Sequence, residues 1–435
     1  MTDKRGIGTL ICDDIELTTG NCDFFTPVIP ENVLRSGNTI ELNPVNAISD
    51  SGPFEFSISR DPDHYLYLPM TRLYGCVKVV KLDGSPLTDA EATSICNLFP
   101  QSLFKQIELD LEGTQVNDIS SSTYALKAYI ETILTYCSDA KSTHLQMAGW
   151  SSDTMNKENN VDGDSFVKRR ALIKDKEYYF SQIIHCDFFQ MERFLIPNVN
   201  ITLKMIRNAD SYSLMASTLA AKIIIKSLRL SIHKVKLSPD FDKAIEGNLM
   251  KEPAMYPMTQ SKIKSFLLQS GTSSTSVQSV LSGALPQSLV ICFLDARAFN
   301  GNVDFNPFLF QHFNLNLLNL RVNGNPFHPR PFQPNYEKGD FYREYRNLMD
   351  HGGVQHSNNV IAISPKEFVS NSNFYIFDFT PDLCNSFHHH TTKHGHIDIE
   401  LGWSTALVNN IYMLVYSSHK QTIIIDHNRN VTLLE

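Results

Sequence analysis

The sequence is short of charge and of tryptophan: charged residues fill 19% of its 435 positions, and Trp occurs twice. Hydrophobic residues reach 42%, a combination that excludes both a disordered chain and a coiled coil. Forty-six acidic residues against 38 Lys and Arg give a formal charge of −8, which argues against a protein whose main task is to grip phosphates. No apolar run reaches the ~18 residues that a membrane-spanning helix requires. The opening MTDKRGIGTLICDDIEL holds no apolar stretch of signal-peptide length, so the expectation is a chain made without secretion.

Chemical motifs are missing as well. None of the eight cysteines (12, 22, 76, 96, 137, 186, 292 and 384) forms a C-x-x-C pair, which removes zinc knuckles and dithiol redox centres. Most sit in apolar runs, such as Cys76 in LYGCVKVV and Cys292 in LVICFL, where a free thiol behaves as a small buried hydrophobe. Reduced thiols of a cytosolic or nuclear setting fit best. There is no G-x-x-x-x-G-K-[ST], no G-x-G-x-x-G opening a helix after a strand, and no G-x-S-x-G nucleophile elbow.

What is present is alternation. Lys105–Leu111, Val199–Met205 and His396–Leu401 alternate apolar and polar residues, the pattern of half-buried strands. Asp83-Gly84, Glu112-Gly113, Asn300-Gly301 and Asn323-Gly324 follow strand patterns and mark tight turns that need positive φ. The chain then repeats itself. LYGCVKVVKLDG and QSLFKQIELDLEG in the first half answer QSLVICFLDARAFNG and FQHFNLNLLNLRVNG in the second. A helical pattern follows each second glycine, over Tyr124–Ser138 and Phe341–Met349, and Asp139 and Asp350 follow Gly113 and Gly324 at equal spacing. Tyr178–Phe189 answers Phe374–Cys384, Ile201–Met205 answers Ile397–Leu401, and long strand patterns over Lys222–Leu237 and Ile411–Asp426 close the halves.

A repeat of about 210 residues, each copy holding about eight strands and one helical excursion, excludes a propeller and favours the jelly roll. The expected fold is all-β: two tandem eight-stranded jelly-roll β-sandwiches with short helical insertions. The boundaries are an N-terminal arm or added edge strand over residues 1–25, a first jelly roll over 26–238, an ordered connection over 239–258 and a second jelly roll over 259–435. Gly271–Ser282 reads as a long Ser/Thr loop.

In this order of elements, from DHYLYL through LYGCVKVVKLDGSPL, NLFPQSLFKQIELDLEGTQV, YALKAYIETILTYCSD and FFQMERFLIPNVNITLKMIRN to SLRLSIHKVKLSP, the chain resembles the double jelly-roll major capsid proteins of Polinton/Maverick elements and adintoviruses. The likeness is best over about residues 54–240 and thinner beyond, where the internal repeat supports the same fold. It implies a virion protein with no catalytic role. Such proteins form homotrimers that act as pseudo-hexagonal capsomers and meet neighbouring capsomers in an icosahedral shell around double-stranded DNA. Assembly takes place inside the host cell, nucleus or cytoplasm being left open, with no membrane partner. Tiles with six walls cannot close a shell, so a separate penton protein at the fivefold vertices is implied.

Three chemical leads remain. His394, His396 and Glu400 form an H-x-H-x3-E string on a strand pattern; alternate strand residues share a face, as metal ligands do in cupins. The flanking glycines and second histidine motif of a cupin are missing, so the expectation is no bound metal and no cofactor, with a bicupin-like enzyme or jelly-roll lectin as the alternative. Lys222, Lys226, Arg229, His233, Lys234 and Lys236 interleave with apolar residues, as on a strand with one solvated face; at most they would touch packaged DNA weakly and without sequence preference. Acid pairs such as Asp13-Asp14 read as solvated carboxylates.

Overall fold

The computed structural model describes residues 33–49, 52–88, 92–218, 220–351, 361–381 and 390–434. The arm over residues 1–25, the Asp13-Asp14 pair and Cys12, Cys22 and Cys384 lie outside the described residues.

The first half contributes β1 (Leu34–Leu42), β2 (Phe54–Ile58), β3 (Tyr65–Lys81), β4 (Thr93–Ile95), β5 (Phe104–Leu111), β6 (Thr114–Gln115), β7 (Glu177–Gln182), β8 (Ile201–Arg207), β9 (Leu214–Ala216) and β10 (Ala221–Leu237). The second contributes β11 (Ala254–Leu268), β12 (Ser274–Ala284), β13 (Ser288–Asp295), β14 (Leu315–Val322), β15 (Asn325–Pro326), β16 (Tyr375–Asp378), β17 (His394–Trp403), β18 (Ile411–Ile425) and β19 (Val431–Leu434). Sheets β1-β10-β3-β7 and β2-β8-β5-β6 make one sandwich; β11-β18-β13-β16 and β12-β17-β14-β15 make the other. Each strand of the first set has a counterpart at the same place in the second, so the chain is a double jelly roll, as the repeat predicts. The pair β4-β9 and the added β19 stand outside this scheme.

The period-2 pattern fills each sandwich. Phe54, Phe56, Leu73, Val77, Leu109, Leu203 and Leu230 point into the first core, and Leu289, Ile291, Phe293, Leu318, Ile399 and Val415 into the second. The hairpin β5–β6 turns on Glu112 and Gly113 with φ of 50° and 81°; β14–β15 turns on Asn323 and Gly324 with φ of 51° and 81°. These paired positive φ values match the twist of the flanking strands.

Helices occupy the segment between β6 and β7 in the first roll and between β15 and β16 in the second. They span Tyr124–Thr135 and Asp164–Ile173 in the first, Tyr342–His351 and Pro365–Ser370 in the second. The equal Gly-to-Asp spacing does not mark equivalent positions: Asp139 lies past the first helix in a separate turn over Ser138–Ser142, whereas Asp350 lies inside the second. Gly271–Ser282 is also not a loop. Ser274–Ala284 is strand β12, paired to β17 across a bulge between Val277 and Leu281; its outward side meets solvent on a sheet edge, so Ser and Thr serve there where apolar residues would be exposed. The segment 239–258 holds a helix over Pro239–Leu249 and the start of β11 at Ala254. Among the described residues Cys76, Cys96, Cys137, Cys186 and Cys292 are free thiols, and no helix is long and apolar enough to cross a membrane.

Candidate assembly surfaces

The sequence LVICFL has no alternation because its strand is covered on both faces. On β13, Leu289, Ile291 and Phe293 enter the second core, while Val290, Cys292 and Leu294 enter a third cluster that joins the two rolls. Register places Cys292 beside Leu414 and Val290 beside both Tyr416 and Ile376, so the middle of this sheet's outer face is apolar. It is sealed by the helical segment of the first roll, through Leu126, Tyr129, Ile130, Ile133 and Trp150, and by the second roll's own Phe341, Leu348 and Phe368. The Tyr129 ring stacks on Phe308 at 4.4 Å between centroids. Polar groups fasten the rim: Arg169, 1% exposed, pairs with Asp153 at 2.7 Å, and Asp153 accepts from Asn306 Nδ2 of the second roll at 3.0 Å.

A charged network lies inside the same junction. Lys127 Nζ stands 2.8 Å from Asp187 and 3.7 Å from Glu131; His185 Nδ1 is 2.6 Å from Glu131. From the second roll, Tyr416 donates to Ser261 Oγ at 2.7 Å, and the Ser261 N–H donates to Asp187 at 2.9 Å. Burial opposes the Lys127 ammonium, but the attraction of Asp187 and Glu131 outweighs it and holds the proton more tightly than usual. Burial likewise opposes the Glu131 carboxylate, and Lys127 and His185 hold it below the usual range. No sequence pattern announces this network, since its members are scattered over some 290 positions (about that many from Lys127 to Tyr416) and carry no shared spacing.

The matching face of the first roll is different. On the outer side of β1-β10-β3-β7, Tyr74 lies beside Arg229 and Ser181, and Cys76 beside Tyr179 and Ser227. Tyr179 is 71% exposed, Tyr74 40%, and Lys226 and Arg229 are open to solvent. The basic string is therefore spread over one strand whose partners are largely acids. Arg229 faces Glu41 at 3.4 Å, Lys234 binds Asp61 at 2.7 Å, and Lys236 stands 3.6 Å from Asp63; His233 meets Thr39 Oγ1 at 3.1 Å.

The H-x-H-x3-E string lies on β17, with Ile397, Ile399 and Leu401 turned into the core and the string on the outer side. Glu400 is taken by Arg321 at 3.0 Å and by Asn319 Nδ2 at 2.8 Å. His396 stands 3.6 Å from Asp398, whose other oxygen accepts from the Ser279 N–H at 2.8 Å. His394 is exposed at the strand start. Among the described residues no three His, Cys, Asp or Glu side chains are gathered to hold a metal ion.

No family model matches the chain. A Caenorhabditis elegans protein, uncharacterized protein F54H12.2, is 21% identical over 414 residues, spanning 92% of this chain and 97% of that protein. Among solved structures, the chain is similar to one from the Sputnik virophage (10% identity, TM-score 0.60, covering 97% of this chain and 92% of that one). It is also similar to PBCV-1 VP54, fitted into a reconstruction of Sputnik (12%, 0.58, 95% and 99%). A third likeness is to the mavirus major capsid protein (9%, 0.52, 96% and 93%). These neighbours are double jelly-roll viral capsid proteins and not enzymes; at such identities, what this chain shares with them is the double jelly-roll fold, over nearly its whole length.

Proposed function

We propose that this chain is a major capsid protein, a structural subunit whose function lies in its contacts with further copies of itself. One observation carries the reading: two complete jelly rolls with the same strand order are fused through a buried junction into one unit, the same fold over nearly full length as viral capsid proteins. In that reading the chain is a homotrimer. Three chains of two rolls present six similar walls, a pseudo-hexagonal capsomer that meets neighbouring capsomers in an icosahedral shell. The lineage is that of Polinton/Maverick elements and adintoviruses, from the order of elements over about residues 54–240. The protein works in the virion, around double-stranded DNA that it touches only weakly, since the net charge is −8 and most of the β10 cations already face acids or hydroxyls. A two-roll chain cannot build a fivefold ring, so a separate penton protein fills the vertices.

Expression of this chain alone tests the reading. Native mass spectrometry should find trimers, and electron microscopy should find trimers, sheets or irregular assemblies. A monomer at micromolar concentration, or closed particles whose fivefold vertices are built from this same chain, would refute it.

A further inference from the structure

A cleft of about 1140 Å³ lies between the helical segments of the two rolls, lined by Tyr129, Lys141 and Trp150 from the first and Tyr345, Arg346 and Glu367 from the second. Its charge runs against that of the chain. The lining carries the cations Lys141, Lys168, Arg169 and Arg346 and two acids, Asp153 and Glu367, in a protein of formal charge −8. Both acids are taken: Asp153 pairs with Arg169 at 2.7 Å, and Glu367 accepts from the Ser364 N–H at 2.7 Å in the cap of its own helix. Arg346 is held by Asp350 at 2.7 Å. Two cations remain. The Lys141 ammonium, on a side chain 8% exposed, reaches the Ile133 and Ala362 carbonyl oxygens at 3.4 Å each and stands 5.0 Å from the centre of the Trp150 ring. Lys168 is open to solvent, and among the described residues it pairs with no acid.

The second signal is an orphaned donor. Trp150, 8% exposed, lines the same cleft, and its indole N–H has no acceptor among the described residues; a buried donor left unpaired is costly, and an oxygen acceptor would relieve it. Tyr179, 71% exposed, and Tyr345 add flat aromatic surface. Six serines contribute hydroxyls, which both donate and accept. We propose that this cleft binds an acidic saccharide, with its carboxylate or sulfate drawn to Lys141 and Lys168 and its rings laid on the tyrosines. A sugar ring has hydroxyls at its edge and an apolar C–H face, and the lining answers both, serines for the first and aromatic rings for the second. Two unpaired cations are too few for the closely spaced phosphates of a nucleic-acid strand, but they match a chain of sugars in which only some rings are charged. The cleft is complete in one chain, so the site stands apart from the self-assembling reading above.

Isothermal titration calorimetry of the full chain tests the site with four probes: sialyllactose for the carboxylate, a heparin tetrasaccharide for the sulfate, neutral lactose, and a single-stranded oligothymidylate. At least one of the two acidic saccharides should bind, and more tightly than lactose or the oligonucleotide. Lys168→Glu should weaken that saccharide about tenfold, the scale of one lost charge-assisted hydrogen bond, and Tyr179→Ala should weaken it as well. Lys251→Glu makes the same change of charge at an exposed site on the connection and should bind as wild type does. These three variants alter exposed side chains, so thermal unfolding should find each as stable as wild type and the readout is binding alone. No binding of either acidic saccharide at millimolar concentration would overturn the assignment. So would lactose or oligothymidylate binding as tightly as the acidic saccharides, or Lys168→Glu binding as well as Lys251→Glu.

Discussion

The first and second rolls repeat one strand order, yet their corresponding sheets live in different solvents. On β10, alternation holds on both sides of a bulge near Lys226: Ile223, Ile225, Leu228, Leu230 and Ile232 are buried, and Lys222, Lys226 and Arg229 are not. On β13 it vanishes, because Val290, Cys292 and Leu294 are as buried as Leu289, Ile291 and Phe293. The backbone pattern is the same and the second layer is not. A sheet read from its polarity thus reports what lies against it: an uninterrupted apolar run marks a sheet with a neighbour already in place, and alternation marks a face left to water or to another chain.

The largest effect should come from charging the covered face. Leu414→Lys would bury an ammonium in the apolar cluster where Leu414 is 0% exposed, at a cost above ~4 kcal/mol and so enough to unfold the second roll. Ser227→Lys, at a half-buried position on the first roll's outer face, should cost about 1 kcal/mol or less. Urea unfolding of both variants checks the contrast, and equal costs would erase the difference between the faces.

Next is the joint itself. Phe308→Ala removes a ring that is 1% exposed and stacked on Tyr129, which should cost ~3–5 kcal/mol. Since the cavity opens between the rolls, their unfolding should separate into two transitions by calorimetry, where the wild type should show one. A single transition, shifted down, would locate the cooperativity elsewhere, in the contact of Tyr256 and Ile423 with the first core.

This joint marks the limit of what the sequence discloses. Strand order was legible because alternation and the turns at Gly113 and Gly324 recur in both halves. The helices were legible within a few residues: Tyr124–Thr135 against a pattern running to Ser138, and Tyr342–His351 against Phe341–Met349. The helix Asp164–Ile173 was missed because its buried positions include Ser165 and Arg169, which dilute any apolar stripe. At the candidate site, the outward side shared by His394, His396 and Glu400 was readable from parity, but not the partners. That Arg321 and Asn319 occupy Glu400 depends on β14 lying next to β17, a pairing across some 80 positions that periodicity does not encode.

The two rolls should also answer acid differently. Burial lowers the His312 imidazole to about 4; its ring stacks on Tyr336 at 3.8 Å, and its Nδ1 accepts from the Asn314 N–H at 2.9 Å. A histidine held neutral in the folded state binds fewer protons than in the unfolded chain, so stability falls as pH drops from about 6.5 toward 4, by up to ~2 kcal/mol after allowance for its partial exposure. In the first roll, burial alone would raise the Asp61 carboxyl, but Lys234, His64 and the Asp63 N–H hold it well below the usual carboxylate range. That stability is present above the ordinary carboxylate pKa and is lost only as pH falls through the lower folded value. Hydrogen exchange at pH 7 and pH 5 should therefore show the second roll opening first, and His312→Gln should flatten the difference. Equal opening of both rolls in the variant and the wild type would exclude His312 as its source.

The smallest effect should be the one the rolls share. At Gly113 and at Gly324, φ is +81°, and an added Cβ would meet no atom within 4 Å at either. The cost of Gly→Ala is then backbone strain alone, ~1 kcal/mol in both rolls. The residues before them differ more. Asn323 adopts φ of 51° as a residue type that tolerates the left-handed region, whereas Glu112 holds 50° against its preference. Glu112 is kept there by its carboxylate, which accepts from the Asn200 N–H at 2.5 Å and pairs with Arg60. Arg60→Ala should thus weaken only the first hairpin, and only slightly, because the Arg60 side chain is 62% exposed, while Gly113→Ala and Gly324→Ala cost the same within ~0.5 kcal/mol. Thermal unfolding of the three variants measures this. A Gly113→Ala cost several times that of Gly324→Ala would mean that the two turns, alike in φ, are not alike in strain, and that the repeat is exact in strand order but not in its hairpins.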